Sequence, residues 1–221
     1  LGECVAYIRV LREIPLLPEE HKRLLEVSLR RGALATTAIE GNTLTEADLV
    51  RIFDQDESPT ESMNYQKVEV ENIIDAMNII KDDLLRGSES IIEPELIREL
   101  HRLITRNLGE KVDCIPGKFR EDNRHVGGIY RAPDYSDVDL LMDRLCRWLR
   151  SEFLYPAYVD EYGPIIQAVV AHIYLEWIHP FGDGNGRTGR LLEFYIQVRG
   201  GIPVVAATLL SNHYNQTRSE L

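Results

Sequence analysis

Twelve consecutive residues hold most of the chemistry in this chain. His179-Pro180-Phe181-Gly182-Asp183-Gly184-Asn185-Gly186-Arg187-Thr188-Gly189-Arg190 sets an imidazole, a carboxylate, an amide, two guanidiniums and several glycines between two helical patterns. Glycines ahead of a helix let backbone N–H groups approach an anion closely, and the helix dipole adds positive potential at the same end. Arg187 and Arg190, in the first turns, have the fork geometry that fits phosphate oxygens. Asp183 suits Mg2+, which takes one or two carboxylates together with phosphate oxygens. His179, with an unperturbed pKa of about 6.5, suits removal of a proton from an attacking hydroxyl. Phe181 is expected to turn inward and fix the loop to the core. Together these residue types predict phosphoryl or nucleotidyl transfer.

Other readings of the same residues fail on context. Gly184-x-Gly186-x-x-Gly189 fits the dinucleotide-binding pattern, but a helix precedes it where a strand is required, and no acid follows about 20 residues on. P-loop spacing is absent. A His179–Asp183 metal pair on one helix face is disfavoured by Pro180, Gly182 and Gly184.

The elements that must position this loop read as helices. Pro18 opens one whose apolar residues Leu24, Leu25, Val27 and Leu29 lie near one stripe. Gly32 is expected to end it, with a short helical piece from Ala33 to Ile39 stopped by Glu40-Gly41-Asn42. Thr45-Glu46-Ala47-Asp48 reads as a capping box for a helix to about Asp54, and Asp56 to Thr60 as a loop. A long helix is predicted from Glu61 to Leu85, stopped by Gly87, and others from Glu93-Pro94 to Asn107, from Ser136 to Phe153, from Pro164 to Trp177 and from Asn185 to Arg199. Thr208 is expected to cap the last. Gly117 to Pro133 is the exception: Gly127-Gly128 between Arg124-His125-Val126 and Ile129-Tyr130-Arg131 predicts a short β-hairpin resting on the helices.

Bulk properties bound the function. The 221 residues suffice for one large or two small domains, and 44% apolar content is ordinary for a globular protein. A net charge of −11 argues against nucleic acid as a partner. Cys4, Cys114 and Cys146 are odd in number and scattered, as expected of reduced thiols in the cytoplasm. The longest apolar stretch, Ile165 to Ile178, is too short to span a membrane and is broken by Gln167, His172 and Glu176. No signal peptide is evident. The helical pattern at Leu221 is cut short, so a longer gene product is expected.

With these residues in view, the chain resembles the Fic family, whose motif reads H-x-F-x-[D/E]-G-N-G-R-x-x-R. His179, Phe181, Asp183, Gly184, Asn185, Gly186, Arg187 and Arg190 meet every fixed position. Ala171-His172 through Trp177-Ile178 is also similar to family sequence, and Gly117-Lys118-Phe119-Arg120 with Val126-Gly127 is similar to the family's target-docking flap. The resemblance implies an all-α Fic core with a small hairpin flap at about 117–133. It implies AMPylation: transfer of AMP from ATP to a Ser, Thr or Tyr hydroxyl of a target protein. On that analogy His179 is the base, Asp183 binds Mg2+, Asn185 and the backbone of Gly184 and Gly186 form the anion hole, Arg187 steadies the phosphates and Arg190 holds the γ-phosphate. Val126, Gly127 and Gly128 would dock the target. Asn212 and Tyr214 stand where the family's last core helix lines the base pocket.

Thr36-Thr37-Ala38-Ile39-Glu40-Gly41-Asn42 is the second signal. An acid at a helix C-terminus is unfavourable by the dipole rule, so Glu40 asks for a partner. In the Fic context the segment matches the inhibitory pattern [S/T]-x-x-x-E-[G/N], with Thr36, Glu40 and Gly41 at its fixed positions. Residues 1–60 then form an N-terminal helical region carrying an inhibitory helix, ahead of a core at 61–221. Glu40 is expected to pair with Arg190 and occupy the arginine that ATP needs. His172 is expected to be a satisfied core histidine, and His21, His101 and His213 to be surface or packing residues. The resulting expectation is a self-restrained, Mg2+- and ATP-dependent protein adenylyltransferase. A de-AMPylase, a transferase of another phosphate-linked group, and a nucleotide-gated binding protein without turnover stay open, as does a homodimer.

Overall fold

The computed structural model describes residues 2–55, 60–153 and 162–218. The described residues include ten α-helices and one hairpin, with four short 3-10 or π-type turns between them: α1 (Gly2–Glu13), α2 (Pro18–Ile39), α3 (Glu46–Leu49), α4 (Glu61–Leu85), α5 (Pro94–Thr105), β1 (His125–Val126), β2 (Tyr130–Arg131), α6 (Val138–Arg147), α7 (Gly163–Ile178), α8 (Asn185–Arg199), α9 (Val204–Ala207) and α10 (Leu209–Thr217). α7 and α8 pack most extensively on each other, and α2, α4 and α5 close around α8. This is the all-α architecture with a single small hairpin that the sequence predicts.

The core runs through the molecule as one cluster. Val70, Ile73, Met77 and Ile80 of α4 face Ile97, Leu100 and Ile104 of α5 and the buried α8 residues Leu191, Leu192 and Phe194. α8 is buried almost all round: Asn185 and Arg187 through Gln197 are all inaccessible. A helix that sits in the middle of a domain carries its polar residues into the interior, and each then needs a partner.

Two local expectations are corrected. Gly32 does not break α2, which runs unbroken from Pro18 to Ile39. Its missing side chain instead admits Thr208, whose Cβ would sit 2.9 Å from a Cβ built at Gly32. Thr208 in turn stands at the N-cap of α10 but makes no side-chain cap bond; its hydroxyl donates to the Val205 carbonyl at 3.2 Å. The capping box at Thr45 forms, with the Asp48 N–H donating to Thr45 Oγ1 at 3.2 Å and Asp48 Oδ2 accepting from the Thr45 N–H at 2.8 Å. The α-helix it starts is short and passes at Val50 into a wider π-type turn. Most of the loop expected at 56–60 lies outside the described residues.

The Thr36–Asn42 segment has its own stop. Gly41 lies at φ +97°, its N–H donates to the Ala38 carbonyl at 3.1 Å, and the Asn42 N–H donates to Thr37 at 3.1 Å. That pairing is a Schellman turn, which needs a residue with positive φ one place past the helix cap. It ends α2 at Glu40 and turns the chain back towards α4.

Candidate active site

α7 ends where Pro180 forbids a further helical turn. His179 takes the left-handed conformation (φ 50°, ψ 60°), and its N–H closes the helix on the Leu175 carbonyl at 2.8 Å. The loop that follows is clamped from inside by Asn185. Its Nδ2 donates to the Phe181 carbonyl and its Oδ1 accepts the Phe181 N–H, both at 2.9 Å. Asn185 therefore contributes its backbone to the start of α8, while its side chain is committed to the loop and is not free to meet an anion. Phe181 is fully buried, as expected, and stacks on the His101 ring with centroids 3.7 Å apart.

Gly184 caps α8 at φ +81°. The N–H groups of the first turn of α8 have no carbonyl one turn earlier to bond. Glu40 lies against this end of the helix. Its Oε1 is 2.5 Å from Arg190 Nη2, which also donates to the Thr36 carbonyl at 3.1 Å. A methyl group at Gly186 would collide with Glu40 Oε1. Thr36 thus meets Arg190 through its backbone; its buried hydroxyl has no partner among the described residues.

Arg187 is paired with two carboxylates. Its Nη1 is 2.5 Å from Glu69 Oε1 and its Nη2 is 3.0 Å from Asp183 Oδ1, with the guanidinium almost wholly buried. Burial alone would lower its pKa; Glu69 and Asp183 outweigh that and raise it. Arg187 fixes Asp183. Asp183 Oδ1 also accepts the Gly184 N–H at 2.5 Å. Glu69 is completed by Asn42, whose Nδ2 donates to Glu69 Oε2 at 3.1 Å.

The imidazole of His179 is half-buried. Burial lowers its pKa, with Arg120 acting in the same direction, so the ring is held neutral and able to accept a proton. Arg120 is the staple of the flap side. Its Nε donates to the His179 carbonyl at 2.7 Å, its Nη1 to Asp122 at 2.5 Å and its Nη2 to Pro133 at 2.6 Å. Its own N–H donates to the Pro180 carbonyl at 2.8 Å. The hairpin pairs His125 with Arg131 and Val126 with Tyr130, and turns through Gly127 and Gly128, both at positive φ, as a tight hairpin turn demands. Tyr130 Oη donates to the Trp177 carbonyl at 2.8 Å and ties the hairpin to the end of α7. A cavity of about 420 Å3 lies on this side, lined by Lys118, Arg120, Arg124 and Gly182 among others.

His101, expected to be a packing residue, has two polar duties as well. The Gly117 N–H donates to its Nδ1 at 2.9 Å, so that nitrogen bears no proton, and Nε2–H donates to the Asp183 carbonyl at 3.0 Å. Burial pushes its pKa down to about 4.

Asn212 and Tyr214 do not form one pocket. Tyr214 Oη donates to Glu193 Oε1 at 2.8 Å in the interior, whereas Asn212 lines a groove between α2 and α10 with Arg31 and Ala38. They are two positions apart on a helix, which sets them on different faces. The residues that the sequence reading passed over are Glu69, His101 and Arg120 as supports of the loop, with Asn42 behind them. Glu69 had a signal: it lies one turn before Ile73 on the apolar stripe of α4, where an acid needs a buried cation.

Comparison with known proteins was consistent with this geometry. Residues 91–196 match the Fic/DOC family model. A protein of Drosophila ananassae named protein adenylyltransferase Fic is 37% identical over 170 residues, covering 77% of this chain and 32% of its own length. The Drosophila melanogaster protein of the same name is 36% identical over the same extent. The chain therefore spans about a third of the curated relatives it matches. Among solved structures, a Fic family protein from Desulfovibrio desulfuricans G20 superposes with a TM-score of 0.76 at 24% identity, covering 98% of this chain and 61% of that one. Fic-1 of C. elegans gives 0.72 at 24% identity, covering 98% and 62%. The matched segment begins ahead of α5 and runs through the hairpin, α6, α7 and the loop into α8, so the hairpin and the His179–Arg190 loop fall within it while α2 and α4 precede it: this chain carries a Fic/DOC family domain.

Proposed function

We propose that this chain is a protein adenylyltransferase held in check by its own second helix. The observation that carries the reading is the 2.5 Å pair between Glu40 Oε1 and Arg190 Nη2 at the N-terminus of α8. A carboxylate sits there on the guanidinium that a nucleotide phosphate would otherwise claim. The name borne by the curated relatives supports the same activity.

In this reading a Ser, Thr or Tyr hydroxyl of a target protein gives its proton to His179 Nε2. The hydroxyl oxygen bonds to the α-phosphorus of ATP, the bond from that phosphorus to the bridging oxygen breaks, and pyrophosphate leaves with the electron pair. Backbone N–H groups at Asn185 and Gly186 face the phosphates. Arg190 takes the γ-phosphate once Glu40 has moved away. Among the described residues no cluster of three or more His, Cys, Asp or Glu side chains could cage a metal ion. Mg2+ suits the site all the same, because it binds through one carboxylate and the phosphate oxygens of a nucleotide. Asp183 is that carboxylate: it is partly exposed, and only Oδ1 is engaged by Gly184 and Arg187. When bound, the ion would offset charge on the phosphates.

The test is self-labelling and target labelling with ATP carrying the label on its α-phosphate. A charge-assisted hydrogen bond is worth about 1.5–3 kcal/mol net. At about 1.4 kcal/mol per decade, Glu40→Gly should raise labelling about ten- to a hundredfold. Adding His179→Ala should abolish it, and the mass added to the modified protein should be that of AMP. Equal labelling of wild type and Glu40→Gly would overturn the brake, and an added mass other than AMP would overturn the activity.

A further inference from the structure

Glu176 lies one turn before His179, with its carboxylate between two imidazoles. Oε2 is 3.9 Å from His179 Nδ1, and Oε1 is 3.9 Å from His172 Nε2. The far side of His172 is fixed: Nδ1 is 3.0 Å from Glu193 Oε1, which also accepts Tyr214 Oη, and the His172 ring packs over Gly189, where a Cβ would collide with it. Glu193, His172, Glu176 and His179 thus form a row from the interior of α8 to the mouth of the cleft. Three atoms in that row, Glu176 Oε1, His179 Nδ1 and Glu193 Oε2, are buried with no hydrogen-bond partner among the described residues. Buried polar atoms without partners are costly and rare, and three of them in one row ending at a reactive ring call for an explanation.

We infer that Glu176 is a positioning residue for the base: its carboxylate holds the His179 ring with Nε2 towards the cleft and stabilises the imidazolium formed when His179 takes the proton of the target hydroxyl. The inference rests on His179 being the base. It assigns to Glu176 the part a carboxylate plays behind a catalytic imidazole, where it orients the ring and offsets its charge without itself being protonated. His179 also faces Arg120 and Arg124 from the flap side, the backbone of Glu176 on α7 and Asp183 from its own loop. Burial raises the Glu176 pKa; His172 on α7 and Arg190 from α8 oppose that rise, and Glu40 from α2 adds to it. Both basic neighbours of His179 oppose a positive ring; the negative charges beside it are Asp183 in its own loop and, 3.9 Å from Nδ1 on the α7 side, the carboxylate of Glu176. The contact with Glu40 has a consequence. Departure of the brake removes a like charge from beside Glu176 and leaves its carboxylate more readily ionised when the base must work.

The experiment needs two readouts. In the wild-type chain with labelled histidine, an NMR titration gives the pKa of the His179 ring without any turnover, and His179→Ala assigns the signal. Glu176→Gln keeps the shape and removes the charge; it should lower the His179 pKa by about one unit, the usual size for loss of one close opposite charge. In the Glu40→Gly background the same change should cut kcat about tenfold with KM for ATP unchanged and move the acidic limb of the pH profile down. Glu176→Asp, which keeps the charge, should retain most of the rate. An unmoved His179 pKa in folded Glu176→Gln, or a loss confined to KM, overturns the inference. Failure of Glu40→Gly to label anything overturns the adenylyltransferase reading instead, and the titration still decides the role of Glu176.

Discussion

Acidification should weaken this fold through the single ring of His101. The ring is fully buried, its Nδ1 already accepts the Gly117 N–H, and its Nε2–H is donated to the Asp183 carbonyl. A second proton would have to sit on Nδ1, against a donor that points at it. Burial sets the pKa at about 4, against an ordinary value of 6.5. Between those values the unfolded chain binds a proton that the native chain refuses, so stability falls as the pH drops from about 6.5 towards about 4. At about 1.4 kcal/mol per unit, the gap corresponds to about 3 kcal/mol. Urea unfolding of wild type and His101→Gln at a series of pH values isolates this part from the carboxylates, which titrate in both chains. Gln keeps a donor within reach of Asp183 and has no proton to take up. The variant should start less stable at neutral pH, and the difference between the chains should shrink by about 2–3 kcal/mol on acidification. Parallel stability curves for the two chains would refute the assignment.

Two further substitutions probe the supports of the cradle. Gly41→Ala adds a methyl group that meets no atom within 4 Å, at a φ of +97°, so its cost is backbone strain alone, about 1–2 kcal/mol. Calorimetry should record a Tm lower by about 2–8 °C, given about 2–4 °C per kcal/mol for a chain of this size, and self-labelling should rise because Glu40 is less firmly aimed. Glu69→Ala takes its buried partner from the Arg187 guanidinium, leaving only the partly exposed Asp183, and should cost about 3–5 kcal/mol in urea denaturation, whereas Glu69→Leu combined with Arg187→Met should recover most of that loss. A loss from the single change as small as that of a surface pair would mean that the buried contact is not held in solution.

Legibility in the sequence tracked how local each feature is. The loop from His179 to Arg190 is one run of residues, and its glycines, its proline and the helix behind it each act within a turn or two. α4 and α8 were legible from end to end because an apolar stripe and a terminal glycine bound each of them. The supports were harder to read for a physical reason. Glu69 meets Arg187 across 118 positions, and His101 meets Asp183 across 82. Sequence spacing carries no information about such pairs beyond the oddity of an acid or an imidazole on an apolar stripe. Arg120 had not even that mark. It lies in an irregular segment and bonds backbone carbonyls, which every residue type supplies. Asn212 and Tyr214 failed as a pair because helical phase separates them, a test that the spacing of two already offered.

On the proposed reading, the arrangement would let the brake release without dismantling the site it blocks. The end of α2 reaches the cradle by two routes: directly through Glu40 to Arg190, and through Asn42 to Glu69, Arg187 and Asp183. The second route does not depend on the first. Glu69 belongs to α4 and Arg187 to α8, so their pair stands on two helices that share the main core. Asn42 is itself anchored to α4 by donating to the Gln66 carbonyl at 3.0 Å. The hinge between the two routes is Gly41. Loss of the Glu40–Arg190 pair gives up about 1.5–3 kcal/mol, an amount within reach of a nucleotide phosphate competing for the same guanidinium. Loss of the Glu69–Arg187 pair would leave the buried guanidinium with only the partly exposed Asp183 as partner and cost more. The weaker contact is therefore the one that faces the cleft, and the stronger one holds Asp183 in place whether or not Glu40 is seated.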